Sequence, residues 1–256
     1  MPARHWLVYR ARVTVPAAHT ASPARGRAGS KLPVALAAAT LSMIATPAAA
    51  QVGAAVSVFS DYRFRGFSLS ESRPVGILDL SYDAPSGLYA GASGSVVAAR
   101  GEGLRALGLT VNGGYAKQLK SGLTVDVGSV YAHYSSYSGL GSSSSYAELY
   151  AGVRGKILSS RVSVSPDYFG VGSTLHGEVT GQFSPARHMQ LQASVGALAP
   201  LGGAYPLVMD GGLRLEWTSG RFSFHGAITT RGGGRRFYPI RQSARTALIF
   251  GLSYAL

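Results

Sequence analysis

Apolar and polar residues alternate along most of the chain from Gln51 to Leu256. In Leu213-Arg214-Leu215-Glu216-Trp217, for example, the apolar side chains share one face and the charged side chains share the other. A period of two is typical of β-strands with one apolar and one polar face. The pattern predicts twelve strands, most of them about ten residues long, the length that a tilted strand needs to cross a bilayer. They span residues 54–65, 75–83, 88–98, 105–116, 123–134, 146–155, 160–169, 174–183, 189–198, 208–217, 221–230 and 243–256.

The connections between these strands alternate between compact and long. The compact ones span residues 83–87, 117–122, 156–159, 184–188 and 218–220, and the longest of the others span 135–145, 199–207 and 231–242. Bacterial outer-membrane barrels have an even number of strands, short periplasmic turns and longer outer loops. The sequence therefore predicts an all-β fold: a transmembrane antiparallel up-and-down β-barrel of 12 strands, with both of its ends in the periplasm.

Aromatic side chains near the predicted strand ends are expected to form the interfacial girdles of such a barrel. They are Tyr62, Tyr82, Tyr115, Tyr131 and Trp217. Two features fit the strand pattern less well. Pro166 lies inside the seventh predicted strand, where it cannot donate to the ladder, so we expect a bulge or a weak point there. The third predicted strand is so rich in Ala, Gly and Ser that its register stays open.

The first 50 residues have a different character. Six of the 24 basic residues lie here without any acidic residue, and Lys31 precedes an apolar stretch that ends in Pro47-Ala48-Ala49-Ala50. A basic segment, an apolar segment and a small-residue cleavage site define a secretory signal peptide. We expect residues 1–50 to be a signal peptide with an over-long basic region, cleaved between Ala50 and Gln51; an uncleaved membrane anchor is the alternative. Residues 51–256 would then form the barrel, in the outer membrane of a Gram-negative bacterium.

Composition narrows the functional classes. The formal net charge of +13 invites a nucleic-acid interpretation. Nearly half of that excess lies in the expected signal peptide, so we expect no nucleic-acid partner. The absence of cysteine excludes a disulfide scaffold and thiolate metal sites.

The segment from Ser60 to Ser68 (SDYRFRGFS), followed by Pro74, Leu80-Ser81-Tyr82 and Gly87-Leu88-Tyr89-Ala90-Gly91, resembles the TorF-type porin family. That family comprises outer-membrane β-barrel proteins formerly described as conserved proteins of unknown function. The later segment from Tyr146 to Val153 (YAELYAGV) is similar to the same pattern. The likeness covers most of residues 51–256 and is strongest in residues 55–95. It implies an outer-membrane barrel with a pore.

Charged residues of nearly balanced sign fall on the predicted inward face of the barrel. The lumen-lining candidates are Asp61, Arg63, Arg65, Asp79, Asp126, Glu148, Arg154, Glu178, Arg214 and Glu216. Charges inside a barrel must be paired or hydrated, so either water fills the lumen or charge pairs plug it. Twelve strands lie between barrels of about eight strands, which side chains fill, and those of about 16–18 strands, which leave a channel. Many small inward residues favour a narrow pore.

A cluster of arginines in the last predicted outer loop carries much of the remaining positive charge. It consists of Arg231, Arg235, Arg236 and Arg241, with three glycines among them. Guanidinium groups bind phosphate well, so the cluster is expected to contact lipopolysaccharide or to capture anionic solutes. An ordinary solvated loop is the alternative.

The favoured function is passive diffusion of small polar solutes across the outer membrane, without enzymatic activity. A closed structural or adhesive barrel that acts through its outer loops is one alternative. An outer-membrane lipid hydrolase is another, but no G-x-S-x-G motif is present, and His133 near Ser135 and Ser136 is ordinary for a Ser-rich loop. The expected partners are outer-membrane lipid, lipopolysaccharide, small polar solutes and the barrel-assembly machinery, which reads an alternating last strand such as the one ending at Leu256.

One pair of possible metal ligands stands out on a predicted strand. His176 and Glu178 share a face, as any alternating pair does. A metal site needs a third and usually a fourth ligand, and the sequence identifies none. We therefore expect neither a metal nor a cofactor.

Overall fold

The computed structural model describes residues 50–202, 206–232 and 244–256. In these residues it contains fourteen β-strands. They are β1 (Gln51–Phe59), β2 (Arg63–Phe64), β3 (Phe67–Ser68), β4 (Val75–Asp83), β5 (Leu88–Ala99), β6 (Gly103–Gln118), β7 (Thr124–Tyr134), β8 (Ser144–Arg154), β9 (Leu158–Ser165), β10 (Thr174–Ala186), β11 (Met189–Pro200), β12 (Val208–Ser219), β13 (Phe222–Arg231) and β14 (Thr246–Ala255). No helix in the described residues is long and apolar enough to cross a membrane.

Twelve of these strands close into one antiparallel barrel. From β4 to β14 each strand pairs with the next one along the chain, and β1 pairs with both β4 and β14 to complete the ring. Closure leaves no sheet edge, as a bilayer requires, because lipid cannot satisfy free backbone N–H and C=O groups. The predicted 12-stranded antiparallel barrel is confirmed, and most strand bounds agree with the prediction within a few residues.

The outer surface of the wall is apolar, as the alternation predicts. Leu248 and Phe250 of β14 are about two-thirds exposed, and similar side chains follow on every strand of the wall. Tyr82, Tyr115 and Trp217 lie outward near the end with the short turns, where they form part of an aromatic girdle. Tyr62 was predicted for a girdle, and this prediction was wrong: it packs against apolar residues inside the barrel.

The first predicted strand differs most from the structure. It was expected to run to residue 65, but β1 ends at Phe59, and the following residues 60–74 fold into the lumen as an inserted segment. The short strands β2 and β3 form a hairpin in this segment, with Arg65 and Gly66 as the two turn residues. Both have positive φ, 48° and 76°, which is the geometry of the tightest hairpin turns.

The two features that fit the predicted strand pattern less well, Pro166 and the third predicted strand, are both explained by the structure. β9 ends at Ser165, immediately before Pro166, so the proline terminates the strand instead of forming a bulge within it. The register of β5 is regular against β4, but it shifts against β6 between Ser95 and Val96. The bulge directs Leu107 of β6 into the barrel, where it is fully buried.

A hydrophobic cluster fills part of the lumen at the end with the longer connections, here called the outer end. The inserted segment, the β7–β8 connection and the β9–β10 connection supply side chains that pack on inward residues of the wall. This cluster, the plug, consists of Phe67, Leu69, Val75, Val97, Leu107, Ala132, Tyr134, Leu140, Tyr146, Tyr168, Phe169, Leu198 and Val208, with Tyr62, Phe64, Ile77 and Tyr137 against it. The arc of wall formed by β13, β14 and β1 contributes none of these residues.

Candidate functional site

The middle of the barrel contains a polar cavity of about 160 Å³. The inserted segment borders it on one side, and inward residues of the wall enclose the rest. Its charged lining residues are Asp61, Arg63, Arg65, Asp79, Arg154, Arg161, Glu178, Asp210 and Arg214. Nine serine, threonine and glutamine residues also line it, together with glycines and with apolar side chains such as Ile77 and Ile249. Water is expected beside the charged and polar groups.

A buried ion pair connects the inserted segment to the wall between the plug and the cavity. Nη2 of Arg65 donates to one carboxylate oxygen of Glu148 on β8 at 3.0 Å, and Nη1 lies 2.7 Å from the other carboxylate oxygen. The guanidinium also lies 4.7 Å from the ring centre of Phe64 and 5.2 Å from that of Tyr168. Both charged side chains are buried, so this ion pair holds the hairpin tip in place while each charge faces its partner.

A second hydrogen-bond network fixes the base of the inserted segment. Asp61 accepts from the hydroxyls of Ser68 and Ser70 and from Nε of Arg63, the last at 2.7 Å. Arg63 also donates to the backbone carbonyls of Gly66 and Ala244, at 3.0 and 2.8 Å. The segment is therefore tied to itself and to the start of the last strand region.

A network of two tyrosines and two charges lies nearer the end with the short turns. The Tyr89 hydroxyl donates to Asp126 at 2.6 Å and also contacts the Tyr150 hydroxyl. Arg161 donates to the other carboxylate oxygen of Asp126 at 3.2 Å and lies 4.2 Å from the Tyr150 ring centre. Gly114 and Gly128 make room for the two tyrosines, because a Cβ at either position would collide with a tyrosine hydroxyl.

A third group of polar side chains converges on β10, β11 and β12. Nε2 of His176 lies 3.2 Å from Oδ2 of Asp210, and Glu178 accepts from the Thr180 hydroxyl at 3.1 Å. One ligand atom from each of His176, Glu178 and Asp210 lies within 4.8 Å of the other two. Gly196 of β11 lies between them, opposite both carboxylate residues in the sheet register.

A smaller polar pocket lies next to the cavity, on the side toward the short turns. Its lining residues are Gln182, Gln190, Gln192, Arg214 and Glu216, and two of these residues, Gln192 and Arg214, also line the main cavity. Beside it, the His225 ring donates to or accepts from the Ser253 hydroxyl at 2.9 Å, and its Nδ1 lies 3.7 Å from Glu216. Because Gln192 and Arg214 line both, the two spaces are neighbours on β11 and β12.

The ten lumen-lining candidates divide into two groups. Asp79, Asp126, Glu148, Arg154, Glu178, Arg214 and Glu216 lie on the strands of the wall, in the inward phase of the alternation. Asp61, Arg63 and Arg65 also lie within the barrel, but on the inserted segment instead of the first strand. Arg161 and Asp210, which border the same cavity, were inward residues of the predicted strands that were not among the ten candidates.

The predicted arginine cluster is only partly described. Arg231 is the last residue of β13 and not a loop residue, and its guanidinium lies 4.6 Å from the Phe67 ring centre. Arg235, Arg236 and Arg241 lie outside the described residues. The expected cleavage site falls where β1 begins, at Gln51, one residue after Ala50.

The sequence did not predict that Asp210 lies beside His176 and Glu178. Asp210 is far from these two residues along the chain, and only the pairing of β10 and β12 with β11 brings the three side chains together. The presence of Gly196, an inward position without a side chain, was the available signal. His133, considered for a hydrolase, lies outward at the outer end with Nε2 3.2 Å from the Ser143 hydroxyl.

A closed twelve-stranded barrel with an apolar outer surface and a polar interior defines a β-barrel of the bacterial outer membrane. The chain belongs to the family described as "Bacterial protein of unknown function (Gcw_chp)", whose model matches residues 45–198. This agrees with the expected resemblance to a family of unknown function, but it does not carry the TorF name.

Two solved porins have similar folds. The NanC porin matches with a TM-score of 0.53 and 11% identity, over 79% of this chain and 100% of that chain. The KdgM porin in complex with disordered oligogalacturonate matches with a TM-score of 0.51 and 12% identity, over 80% of this chain and 99% of that chain. At these identities the likeness concerns the fold. No curated protein sequence matches significantly.

Proposed function

We propose that this barrel allows passive diffusion of small polar solutes across the outer membrane. The observation that carries the proposal is the polar cavity in the middle of the lumen, together with the polar pocket that extends it toward the short turns. A barrel that served only as a scaffold would gain stability from a filled interior, since buried polar surface costs free energy unless it is paired or hydrated.

The proposed passage runs beside the plug and not through it. The plug rests on β4 to β8 and on β11 and β12, whereas the cavity is also lined by Phe59 of β1, Thr229 of β13 and Ile249 of β14. A solute that enters past Arg231 and Arg63 would reach the cavity along this arc and leave past Gln190 and Glu216. The narrowest point of this passage is the contact of the hairpin tip, at Gly66, with β13. The inserted segment makes the passage narrow, which limits it to small solutes.

Charge on the cavity wall supports a passage without strong preference for one sign. Five arginines and four carboxylates line it, and several of them form pairs. KdgM was solved with oligogalacturonate, an acidic saccharide. The near balance of charge here does not favour such polyanions, so we propose small polar solutes in general.

Single-channel conductance in planar bilayers tests the proposal. We expect discrete conductance steps, and Arg214→Glu should shift the reversal potential in a salt gradient toward cations, because the reversed charge borders both polar spaces. Arg221→Glu is the matched control: it makes the same charge change on an exposed residue next to the β12–β13 turn. Silence from protein shown to be folded and inserted would contradict the proposal and favour the closed structural or adhesive barrel.

The remaining expectations from the sequence complete this proposal. Residues 1–50 would direct export and be removed after Ala50. The barrel-assembly machinery would read β14, whose Leu248, Phe250 and Leu252 point outward. The arginines after Arg231 would contact lipopolysaccharide phosphates at the cell surface.

A further inference from the structure

We infer that His176, Glu178 and Asp210 form a binding site for a divalent transition-metal ion, of which Zn²⁺ is the representative, on the wall of the lumen. The three residues come from two strands that are not adjacent, β10 and β12, and their side chains converge over β11. Within the described parts of the chain, no other three His, Asp or Glu side chains converge in this way.

The distances suit a tetrahedral ion. Zn²⁺ binds imidazole nitrogen and carboxylate oxygen at about 2.0–2.2 Å, so two ligand atoms of one tetrahedral ion lie about 3.4 Å apart. Nε2 of His176 and Oδ2 of Asp210 are already 3.2 Å apart. All three ligand atoms lie within 4.8 Å of one another. A change of the Glu178 side-chain torsions that moves its carboxylate by about one bond length would bring the three atoms to the spacing of a tetrahedral site.

The backbone under the site is shaped for this convergence. A Cβ at Gly196 would lie 2.8 Å from Nε2 of His176 and 3.0 Å from Oδ2 of Asp210. Any side chain at this position would therefore separate the two ligands. The neighbouring inward positions of β11 carry side chains, namely Gln192, Ser194 and Leu198. The space left by the missing side chain at Gly196 is therefore confined to the place where the three proposed ligands meet.

The surroundings provide the other elements of a metal site. Thr180 donates to Glu178 at 3.1 Å, the kind of supporting hydrogen bond that orients a metal-binding carboxylate. Glu178 and Asp210 border the polar cavity, so an ion can arrive from the lumen and water can occupy its fourth position. Three protein ligands with one open position is the arrangement of accessible zinc sites. Two carboxylates and one neutral imidazole also supply the negative charge that a divalent ion requires.

Zn²⁺ is favoured over the alkaline-earth ions by the donor set. Imidazole nitrogen suits Zn²⁺ and its transition-metal neighbours, whereas Mg²⁺ prefers six oxygen ligands at nearly octahedral angles. The inference does not depend on an open passage, because an ion needs access from only one side of the barrel.

Titration calorimetry with ZnCl₂ tests the inference directly. The full-length chain, without a histidine tag, would be exported, extracted from the outer membrane in detergent and stripped with a chelator. We expect one Zn²⁺ per chain, at least tenfold weaker binding in His176→Ala and Asp210→Asn, and no displacement by a large excess of Mg²⁺. Bound Co²⁺ should give the visible absorption of a tetrahedral site in the wild type and not in these variants.

His225→Ala is the matched control, since His225 is also a buried lumen histidine but has a single carboxylate neighbour, Glu216. It should bind Zn²⁺ like the wild type. Gly196→Ala keeps all three ligands and should still weaken binding, by crowding them apart. Heat-dependent mobility on gels verifies that each variant is folded. Absence of binding to the wild type at millimolar Zn²⁺, or unchanged affinity in both folded Asp210→Asn and folded Gly196→Ala, would overturn the inference.

Discussion

The outer end and the middle of the lumen are built from the same twelve strands, but they differ in what the wall faces. At the outer end the inward residues Val97, Leu107 and Leu198 are fully buried against the plug, as in the core of a soluble protein. In the middle the inward residues are Ser95, Thr110 and Arg214, and they border the polar cavity. On β5 and β6 the change occurs within two or three positions.

The two regions of the interior therefore differ in how they interact with the inserted segment and with water. The plug stabilises the inserted segment by removing apolar surface from water, at roughly 25 cal/mol per Å². The cavity lacks such packing, and its polar groups lie near water. The Arg65–Glu148 pair stands between the two regions and belongs to both, because Glu148 comes from the wall and Arg65 from the segment.

Breaking this pair should therefore have the largest effect on both regions. Glu148→Ala leaves the Arg65 guanidinium buried without its carboxylate partner, which typically costs about 3–5 kcal/mol. We expect the free energy of unfolding to fall by that amount when the barrel in lipid vesicles is unfolded with guanidinium chloride. We also expect larger conductance steps, because the hairpin is no longer held against the wall.

Glu71→Ala is the control for this change. It removes the carboxylate of a weaker pair on the same segment, in which the Arg73 and Glu71 charges are 3.5 Å apart and partly exposed. Its effect on stability should be below about 1 kcal/mol. Equal effects of the two substitutions would show that the buried pair does not hold the segment.

A truncation inside the plug should have the next largest effect. Leu69 is fully buried, and its backbone carbonyl accepts from the Gly139 N–H, so it joins the segment to the β7–β8 connection. Leu69→Ala should cost about 2–5 kcal/mol, since it leaves a cavity among packed side chains. The same guanidinium titration measures it.

Leu201→Ala makes the same chemical change on an exposed residue of the β11–β12 connection and should be nearly neutral. A plug that is only loosely packed would make Leu69→Ala as mild as this control. That result would remove the distinction between the two regions of the lumen.

The wall could be predicted from the sequence, and the inserted segment could not. The wall strands have one apolar face toward lipid, so the period of two appears directly in the residue order. Residues 60–65 alternate just as regularly, with Tyr62 and Phe64 between charged residues, so the pattern extends the first predicted strand to residue 65. Alternation also suits a hairpin that lies between an apolar plug and a polar cavity. The two residues with positive φ, Arg65 and Gly66, mark the turn, but arginine is not a residue that predicts one.

The charged residues of the candidate site could be assigned to the lumen because the alternation along each wall strand determines which residues face inward. Their partners could not be assigned, since pairing depends on register across several strands. Asp126 and Arg161 lie on β7 and β9, with β8 between them, and Arg65 reaches Glu148 only because its segment leaves the wall. The sequence left an open lumen and a plugged one as alternatives, and the structure contains features of each at different depths.

The smallest expected effect concerns how closely the hairpin tip approaches the wall. A Cβ at Gly66 would lie 2.8 Å from Cβ of Arg231 and 3.0 Å from the Thr230 carbonyl oxygen, both on β13. Gly101, in the β5–β6 turn, has nearly the same φ, 73° against 76°, but nothing lies within 4 Å of its Cβ position. Alanine at either site therefore suffers the same backbone strain, and only Gly66→Ala adds a collision.

The difference between these two alanine variants isolates the contact of the segment with β13. Overpacking typically costs about 1–3 kcal/mol, so Gly66→Ala should be destabilised by that much more than Gly101→Ala in the same titration. The proposed passage runs along this arc of the wall, so displacement of the tip should also change the size of the conductance steps in Gly66→Ala alone. If both variants conduct like the wild type, the contact between the hairpin tip and β13 does not limit the passage.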